Sequence, residues 1–414
     1  MKRRILIGLV AVLVAALAGC SAQSPTPAPP SPTSNPGATV ATTEPTGTTG
    51  PTIGPATSTA PATTPTVPPT ATPRPTATPI PGPTVTELIG QKLMVAMSGR
   101  TPSADLLGRV RRGEVGGVIL FGSNISSAAQ LTSLTKKLQA AATDGGQPPL
   151  LISTDQEGGS VKRVPWIAPT QSPPEMGSNG TASNARSQGV STGAGLVGLG
   201  VNLDLAPVAD VPASTSSFMY QQGRTWSFSA STTETVADAF AKGLESAGEL
   251  PAMKHFPGLG YAVENTDRNV VTITASTSQL DPGLDAYRGA ITQDVPMVML
   301  SNAWYTAWDA SSAAGWSRAI GTTLLRDQLG FEGVTITDSL NGIGSAMGVS
   351  PTTLAVRAAK AGTDMILLTG SEASTSAAFA TLLADAENGT LSRSLLATSY
   401  DRIVALKHAW LDAH

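Results

Sequence analysis

Asp338 is the residue whose type and position first suggest chemistry. It comes directly after the β-branched run 333–337, whose composition is typical of a buried strand. A carboxylate at this position can cap the helix that follows. It can also act as a nucleophile that forms a covalent intermediate at an electrophilic carbon, such as the anomeric carbon of a sugar. The local pattern is compatible with both interpretations.

A second candidate group consists of Lys254 and His255, which are followed by the rigid sequence Phe-Pro-Gly. Adjacent Lys and His residues at the end of an apolar run can lie at the rim of a fold, with the His bonded to a backbone carbonyl. They can instead donate hydrogen bonds to sugar hydroxyl groups. The context favours the second interpretation.

Two isolated arginines, Arg163 and Arg224, stand in segments that are predicted to be loops. A guanidinium fork suits vicinal oxygen acceptors on a sugar or a carboxylate, although each arginine can also pair with a structural carboxylate. Asp155 and Glu157 follow another apolar run. Glu157 can be a ligand or a buried bracing residue, and we favour bracing.

The composition argues against several kinds of site. One cysteine and three histidines do not supply the paired ligands of a zinc site. No Gly-x-Ser-x-Gly motif supports a serine hydrolase. The net charge is −3, and the basic cluster Arg109, Arg111 and Arg112 is interpreted as a solvated helix end. We therefore expect no metal, no cofactor and no nucleic-acid partner.

Apolar runs alternate with amphipathic segments from residue 84 onwards. Helical spacing is clear in Ala128–Ala142 and in Thr233–Ala247. Apolar runs between such helices predict parallel strands covered by helices, and eight of them close a (β/α)8 TIM barrel. An open doubly wound sheet is the rival, but Ser98-Gly99-Arg100 is not the Gly-rich turn expected after its first strand. The predicted strands are Lys92–Met97, Gly117–Phe121, Leu150–Thr154, Gly200–Ala206, Ala252–Phe256, Met297–Leu300, Val334–Thr337 and Met365–Leu368.

A barrel of this kind places its chemistry at the carboxyl ends of the strands, and the candidate residues occur there. Asp155 ends the third predicted strand, Lys254 and His255 lie on the fifth, and Asp338 ends the seventh. Charged residues make up 13% of the chain, so their grouping at one end of the predicted barrel is informative.

The N-terminus has the features of an export signal. A basic start precedes an apolar run, Ile5–Ala18, that is shorter than the roughly 20 residues needed to span a bilayer. The sequence Leu17-Ala18-Gly19-Cys20 resembles a lipobox, the motif that ends in the lipid-modified cysteine of bacterial lipoproteins. We therefore predict a lipoprotein signal peptide over residues 1–20, with Cys20 as the site of lipidation.

The segment 21–83 is rich in Pro, Thr and Ser, with almost no charge and few large apolar side chains. Such a segment cannot bury enough apolar surface to offset its chain entropy, and its prolines favour extended conformations. We predict a disordered linker between an anchor on the outer face of the bacterial cell membrane and a catalytic domain over residues 84–414. We expect this exported protein to be a monomer.

Taken together, the motifs resemble glycoside hydrolase family 3, of the single-domain β-N-acetylhexosaminidase type in a lipoprotein form. The resemblance runs from Leu88-Ile-Gly-Gln-Lys-Leu through Asp155-Gln-Glu-Gly-Gly and Lys254-His-Phe-Pro-Gly to Gly330-Phe-Glu-Gly-Val-Thr-Ile-Thr-Asp338. It implies that Asp338 is the nucleophile. It also implies that a terminal N-acetylglucosamine is held by Asp155, Arg163, Arg224, Lys254 and His255.

One motif departs from that family. After Lys-His-Phe-Pro-Gly the family pattern has His-Gly and then an Asp-Ser-His loop, whose His is the general acid/base. This chain has Leu259 and then Asn265-Thr266-Asp267 instead. Asp267 can itself protonate the leaving oxygen if burial or a neighbouring carboxylate such as Glu264 raises its pKa, with Asn265 as its partner in the loop. Otherwise the acid step is lost.

The favoured hypothesis is a retaining hydrolase that removes terminal β-linked N-acetylglucosamine from cell-wall-derived or chitin-like oligosaccharides outside the membrane. The alternatives are a tethered glycan-binding lipoprotein with little or no turnover, and a β-glucosidase. The β-glucosidase branch of the family generally carries further domains after the barrel, whereas this chain ends at its predicted final helix, Leu395–Trp410.

Overall fold

A computed structural model describes residues 82–411 of the protein. The predicted signal peptide, Cys20 and most of the predicted linker lie outside the described residues, so these predictions stay predictions. Among the helices of residues 82–411, none is both long and apolar enough to cross a membrane.

Eight parallel strands form a barrel. They are β1 (Leu93–Ala96), β2 (Gly117–Ile119), β3 (Leu151–Thr154), β4 (Leu203–Asp204), β5 (Leu250–Phe256), β6 (Met297–Leu300), β7 (Val334–Thr337) and β8 (Ile366–Leu368). Neighbours in the chain are neighbours in the sheet from β1 to β7, and β8 pairs with β1. A parallel bridge between Ile336 and Met365 joins β7 to β8 and closes the ring. The predicted (β/α)8 barrel is confirmed, and each predicted strand overlaps an observed one.

The strands are apolar on both faces because both faces are buried. In β1, Met94 and Ala96 belong to the core inside the barrel, together with Leu151 of β3. Leu93 and Val95 belong to the core between the barrel and its helices. This double burial explains why the strands appear in the sequence as continuous apolar runs rather than as alternating ones.

Helices cover the outside of the barrel. The α-helices of the described residues are α1 (Val85–Gly90), α2 (Ala104–Arg111), α3 (Ala128–Asp144), α4 (Pro173–Asn179), α5 (Ala182–Val197), α6 (Phe218–Gln221), α7 (Ala230–Ser246), α8 (Thr277–Leu280), α9 (Asp285–Thr292), α10 (Leu340–Met347), α11 (Pro351–Ala361), α12 (Glu372–Glu387) and α13 (Arg393–Leu411). Ala319–Gln328 forms a wider π-helix. The two helices predicted from spacing are confirmed as α3 and α7, and the predicted final helix as α13.

The end of the barrel at which the strands begin is closed by α13, and we call this end the floor. Ile403 belongs to the core inside the barrel, and Trp410 packs against that core. The Lys407 ammonium donates hydrogen bonds to Oε1 of Gln91 at 2.6 Å and to the carbonyl of Gly116 at 2.7 Å. Because Gln91 and Gly116 stand just before β1 and β2, these bonds attach α13 to the start of the sheet.

The fourth strand is shorter than predicted. The apolar run suggested a strand over Gly200–Ala206, whereas the regular strand spans Leu203–Asp204. Gly200 has a φ of +76°, which belongs to a turn. After the regular strand the chain still runs beside β5, because the N–H of Lys254 donates to the carbonyl of Pro207 at 3.0 Å and a parallel bridge joins Val208 to Lys254. A long loop then begins at the opposite end of the barrel.

The interpretation of the basic cluster as a solvated helix end is wrong for Arg109. Its side chain is buried, and its Nη1 donates a hydrogen bond to Oγ1 of Thr375 at 2.9 Å. Arg111 and Arg112 are solvated, with about half of each side chain exposed at 46% and 58%. The spacing of the three arginines along the chain points them in different directions. Arg109 faces α12, whereas Arg111 and Arg112 face water.

Candidate active site

The ends of the strands opposite the floor, which we call the mouth, surround a cavity of about 170 Å³. The segments that follow β3, β4, β5 and β7 each contribute polar side chains to its wall. All eight residues that the sequence nominated for catalysis or sugar binding line this one cavity: Asp155, Arg163, Arg224, Lys254, His255, Asn265, Asp267 and Asp338.

Lys254 is the centre of a buried charge network. Its ammonium lies 2.7 Å from Oδ1 of Asp155 and 2.6 Å from Oε1 of Glu157. Burial lowers the pKa of Lys254, but the two carboxylates outweigh burial and raise it above its ordinary value. Burial raises the pKa of Asp155, but the charge of Lys254 outweighs burial here too, and the pKa is lowered below its ordinary value. Lys254 is therefore held as a cation.

Arg224 forms a two-bond pair with Glu157. Its Nε and Nη2 atoms donate to the two carboxylate oxygens at 2.8 and 2.7 Å. The cations Arg224 and Lys254 keep the pKa of Glu157 well below its usual range although burial acts in the opposite direction. Glu157 does not line the cavity but lies behind its wall. Its position agrees with the bracing interpretation, and Arg224 both pairs with a carboxylate and lines the cavity.

Arg163 approaches the same network from the loop after β3. Its Nη2 lies 3.6 Å from Oδ2 of Asp155. Within the described residues its buried Nε has no hydrogen-bond partner. Asp155 is thus flanked by two cations, and Arg163 retains donor capacity beside the cavity.

His255 is positioned by a carboxylate to which the sequence analysis gave no role. Oδ2 of Asp210 lies 2.8 Å from Nδ1 of the ring, and Oδ1 accepts from the backbone N–H groups of Leu259 at 2.7 Å and His255 at 3.3 Å. Asp210 is fully buried. The one signal for it in the sequence is its position after β4, in Leu205-Ala-Pro-Val-Ala-Asp210.

Asp338 has features expected of a helix cap and features expected of a nucleophile. Its backbone N–H donates to the carbonyl of Leu300 at 2.9 Å, which continues the pairing of β7 with β6. Its Oδ1 accepts from the N–H of Ser339 at 2.7 Å, at the start of α10. The half-buried carboxylate nevertheless lines the cavity. The Asp338 side chain therefore both accepts a hydrogen bond at the start of α10 and faces the cavity.

The loop after β5 brings Asp267 to the same cavity. Oδ1 of Asn265 accepts from the N–H of Asp267 at 2.8 Å, so Asn265 is its partner in the loop. The loop rests on Gly342 of α10, where an added Cβ would stand 2.4 Å from the carbonyl oxygen of Asp267. Only glycine permits this approach, and it places Asp267 beside the helix that begins after Asp338.

The pKa of the Asp267 carboxyl lies well above its ordinary value. Crowding by protein around the carboxyl, and then the negative charge of Asp338, raise its pKa to about 7. The residue as a whole is solvent-exposed at the mouth, so the shift comes from the enclosed carboxyl end and from its charged neighbour. Asp338, rather than the exposed Glu264 suggested from the sequence, is the main carboxylate that raises this pKa.

Tryptophan rings can stack on the faces of sugars, but three of the tryptophans belong to the core. Trp226, Trp304 and Trp316 are buried, and the last two pack edge to face with ring centroids 5.6 Å apart. Trp166 is 46% exposed but does not line the cavity. Among residues 82–411, no group of three or more His, Cys, Asp and Glu side chains is placed to hold a metal ion.

The chain is similar to known proteins over most of the described domain. A secreted glycosyl hydrolase of Arthroderma benhamiae is 36% identical over 77% of this chain and 92% of its own length. A family 3 β-N-acetylglucosaminidase structure from Paenibacillus has a TM-score of 0.76 and 30% identity, covering 80% of this chain and 64% of that one. A β-N-acetylhexosaminidase structure from Beutenbergia cavernae has a TM-score of 0.73 and 30% identity, covering 79% and 99%. The glycosyl hydrolase family 3 N-terminal domain matches residues 84–406, and the chain belongs to that family.

Proposed function

We propose that the protein is a β-N-acetylhexosaminidase. It removes terminal β-linked N-acetylglucosamine, with retention of configuration, from cell-wall-derived or chitin-like oligosaccharides. The observation that carries the proposal is the pair Asp338 and Asp267, two carboxyl groups in one cavity, of which one has its pKa raised to about 7 by burial and by the charge of the other. Two carboxyl groups with separated protonation states are what acid-assisted glycoside cleavage requires. The β-N-acetylglucosaminidase of Paenibacillus and the β-N-acetylhexosaminidase of Beutenbergia cavernae, to which the chain is similar, support the choice of sugar.

In the first step the carboxylate of Asp338 attacks C1 of the bound sugar. The C1–O bond to the leaving group breaks, and the proton of Asp267 passes to the leaving oxygen. In the second step a water molecule gives its proton to Asp267 and its oxygen to C1, and the ester to Asp338 breaks. The electron pair returns to Asp338, and Asp267 ends protonated as it began.

The other side of the cavity holds the sugar. Asp155 presents carboxylate oxygens that accept from hydroxyl groups, and Lys254 fixes their position. Arg163 and Arg224 supply guanidinium donors. Because Nδ1 of His255 is bonded to Asp210, Nε2 is the ring nitrogen available to the sugar.

Replacement of Asp338 by Asn tests the nucleophile. The change keeps the size of the side chain and removes the negative charge, so hydrolysis of an aryl N-acetylglucosaminide is expected to fall by at least about 10⁴-fold. The matched control is Asp327→Asn, at an exposed position of the π-helix. Unfolding curves of both variants should match those of the unaltered protein. Turnover that is unchanged in Asp338→Asn would refute the assignment.

The assay also separates the alternatives. A protein that binds N-acetylglucosamine oligosaccharides and releases no product would be a glycan-binding lipoprotein. One that prefers an aryl glucoside to an aryl N-acetylglucosaminide would be a β-glucosidase.

We also propose that the protein is exported and held at the outer face of the bacterial cell membrane by a lipid on Cys20. Support comes from the lipobox-like sequence and from the relative named as a secreted hydrolase. Incorporation of labelled fatty acid into the full chain, and its loss in Cys20→Ser, is the expected result. Equal labelling of both would refute the anchor.

A further inference from the structure

Large exposed apolar side chains occur mainly in the loops that follow three neighbouring strands. Of the seven large hydrophobic residues that the described part of the chain exposes, five lie in the loops and the short helix α6 after β3, β4 and β5: Trp166, Tyr220, Phe228, Val263 and Val270. The same three segments supply Asp155, Arg224 and Asp267 to the cavity. The other two exposed residues lie on α5. Exposed apolar surface at the edge of a polar cavity marks a binding surface more often than chance exposure does.

Two of these residues, Tyr220 and Phe228, form an aromatic platform. Their ring centroids are 4.9 Å apart with the planes tilted by 47°, and the residues are 40% and 49% exposed. Each ring thus covers part of the other and leaves much of its surface open to solvent. An open aromatic surface of this kind suits the C–H face of a pyranose ring.

The aromatic platform is attached to the cavity wall by short connections. Phe218 and Met219, which immediately precede Tyr220, line the cavity. The N–H of Phe218 donates to the carbonyl of Ala262 at 2.8 Å, which ties α6 to the loop that carries Asp267. The platform therefore lies on the side of the cavity from which Asp267 approaches.

Apolar surface continues beyond the platform. Phe228 and Tyr261 line a cleft of about 290 Å³ together with Pro257 and Gly260. Leu259, inside the same segment, lines the catalytic cavity. The cleft and the cavity are thus separated by one short segment, and Phe228 belongs to the platform and to the cleft.

We propose that the aromatic platform binds the sugar unit on the leaving-group side of the scissile bond. This inference rests on the proposed function, because it takes Asp267 as the group that protonates the leaving oxygen. The sugar released by that protonation must lie on the Asp267 side of the cavity, where the platform stands. The platform gives the enzyme a preference for β-linked N-acetylglucosamine oligosaccharides over glycosides with a small leaving group.

The test compares two substrates with the full chain and its variants. The β-linked trisaccharide of N-acetylglucosamine reaches the platform, whereas β-N-acetylglucosaminyl fluoride has a leaving group too small to do so. Tyr220→Ala and Phe228→Ala should each lower kcat/KM for the trisaccharide by about tenfold, while hydrolysis of the fluoride stays the same. Tyr220→Phe keeps the ring and should keep trisaccharide activity. The matched control is Val190→Ala, an exposed apolar position on α5.

Each outcome decides something. Unchanged trisaccharide hydrolysis in both alanine variants would overturn the proposed platform. An equal loss on both substrates would also overturn it, because the rings would then support the catalytic cavity rather than bind a leaving group. Failure of the unaltered protein to hydrolyse even the fluoride would refute the proposed function, and with it the inference.

Discussion

Two buried lysines stand at opposite ends of the barrel and differ in what surrounds them. Lys254, at the mouth, lies within 2.7 Å of two carboxylates, and these raise its pKa above the ordinary value. Lys407, at the floor, donates to one amide and one backbone carbonyl, and burial lowers its pKa to about 7. Lys92 at the floor is similar, because it donates to the carbonyl of Thr363 and burial lowers its pKa to about 8.

Lys254 at the mouth and Lys407 at the floor differ in whether neighbouring charges compensate their positive charge. At the mouth, each charge is compensated by other charges, so the network stays ionised without water and can present oxygens and N–H groups to a ligand. At the floor, neutral oxygens satisfy the N–H groups of the lysine but not its charge. We therefore expect substitutions at the mouth to lower activity as well as stability, and substitutions at the floor to act on stability alone.

Among the substitutions that test this comparison, the largest effect is expected for Lys254→Met. The change leaves Asp155 and Glu157 close together with less positive charge between them, and breaking a buried pair in this way costs about 3–5 kcal/mol of stability. The carboxylate of Asp155 loses its fixed position, so kcat/KM for an N-acetylglucosaminide should fall by about 10³-fold. Steady-state kinetics and urea unfolding measure the two effects. A variant with nearly normal kcat/KM would break the comparison, because the mouth would then resemble the floor.

A smaller and more selective effect is expected for Asp267→Asn. Cleavage of a sugar leaving group needs the proton of Asp267, so kcat/KM for the disaccharide of N-acetylglucosamine should fall by about 100-fold or more. The value of kcat/KM for the glycosyl fluoride should be nearly normal, because it reports the first step and fluoride leaves without that proton. Equal losses on the two substrates would instead assign Asp267 a structural role in its loop.

The pH dependence provides a second measurement on Asp267. An acid with a pKa of about 7 is protonated below that pH, so kcat/KM for the disaccharide should decline as the pH rises through about 7. The decline should be absent from Asp267→Asn. A profile that keeps the same decline in the variant would assign it to another group.

The smallest effect on activity is expected for Lys407→Met, which should leave kcat/KM unchanged. Its effect on stability depends on pH. Below pH 7 the lysine is protonated in both states, whereas between about 7 and its ordinary value of 10.5 only the unfolded chain keeps the proton. The free energy of unfolding of the unaltered protein therefore rises with pH in this window, by about 2–3 kcal/mol between pH 7 and pH 9 relative to the variant. Urea unfolding at the two pH values measures the difference, and parallel curves would contradict it.

The barrel was predictable because its signal is local. Strands buried on both faces are continuous apolar runs, and amphipathic helices separate them, so the order of elements follows from composition and spacing alone. The topology then brings Asp155, His255 and Asp338 together, since the carboxyl ends of parallel strands meet at one mouth. The positions of all three at strand ends required no knowledge of their contacts.

Contacts between distant segments were not predictable from local patterns. The bond between Asp210 and His255 joins the loop after β4 to strand β5 across 45 residues of chain, and no local pattern near either residue predicts the pair. Arg109 has the sequence surroundings of a solvated arginine, yet it is buried against α12. Trp226, Trp304 and Trp316 are core residues for the same reason. Burial depends on what packs against a residue, and that information lies elsewhere in the chain.

The sequence by itself determined which side chains stand at the mouth, because the order of the strands and the residues at which they end follow from local apolar patterns. Only the tertiary structure decided their state of charge. The pKa of Asp267 is raised to about 7 because protein encloses its carboxyl and because Asp338 comes to it from another strand. Lys254 stays a cation because two carboxylates from the loop after β3 enclose it. Protonation depends on charges and water within a few ångströms, and folding alone sets those distances.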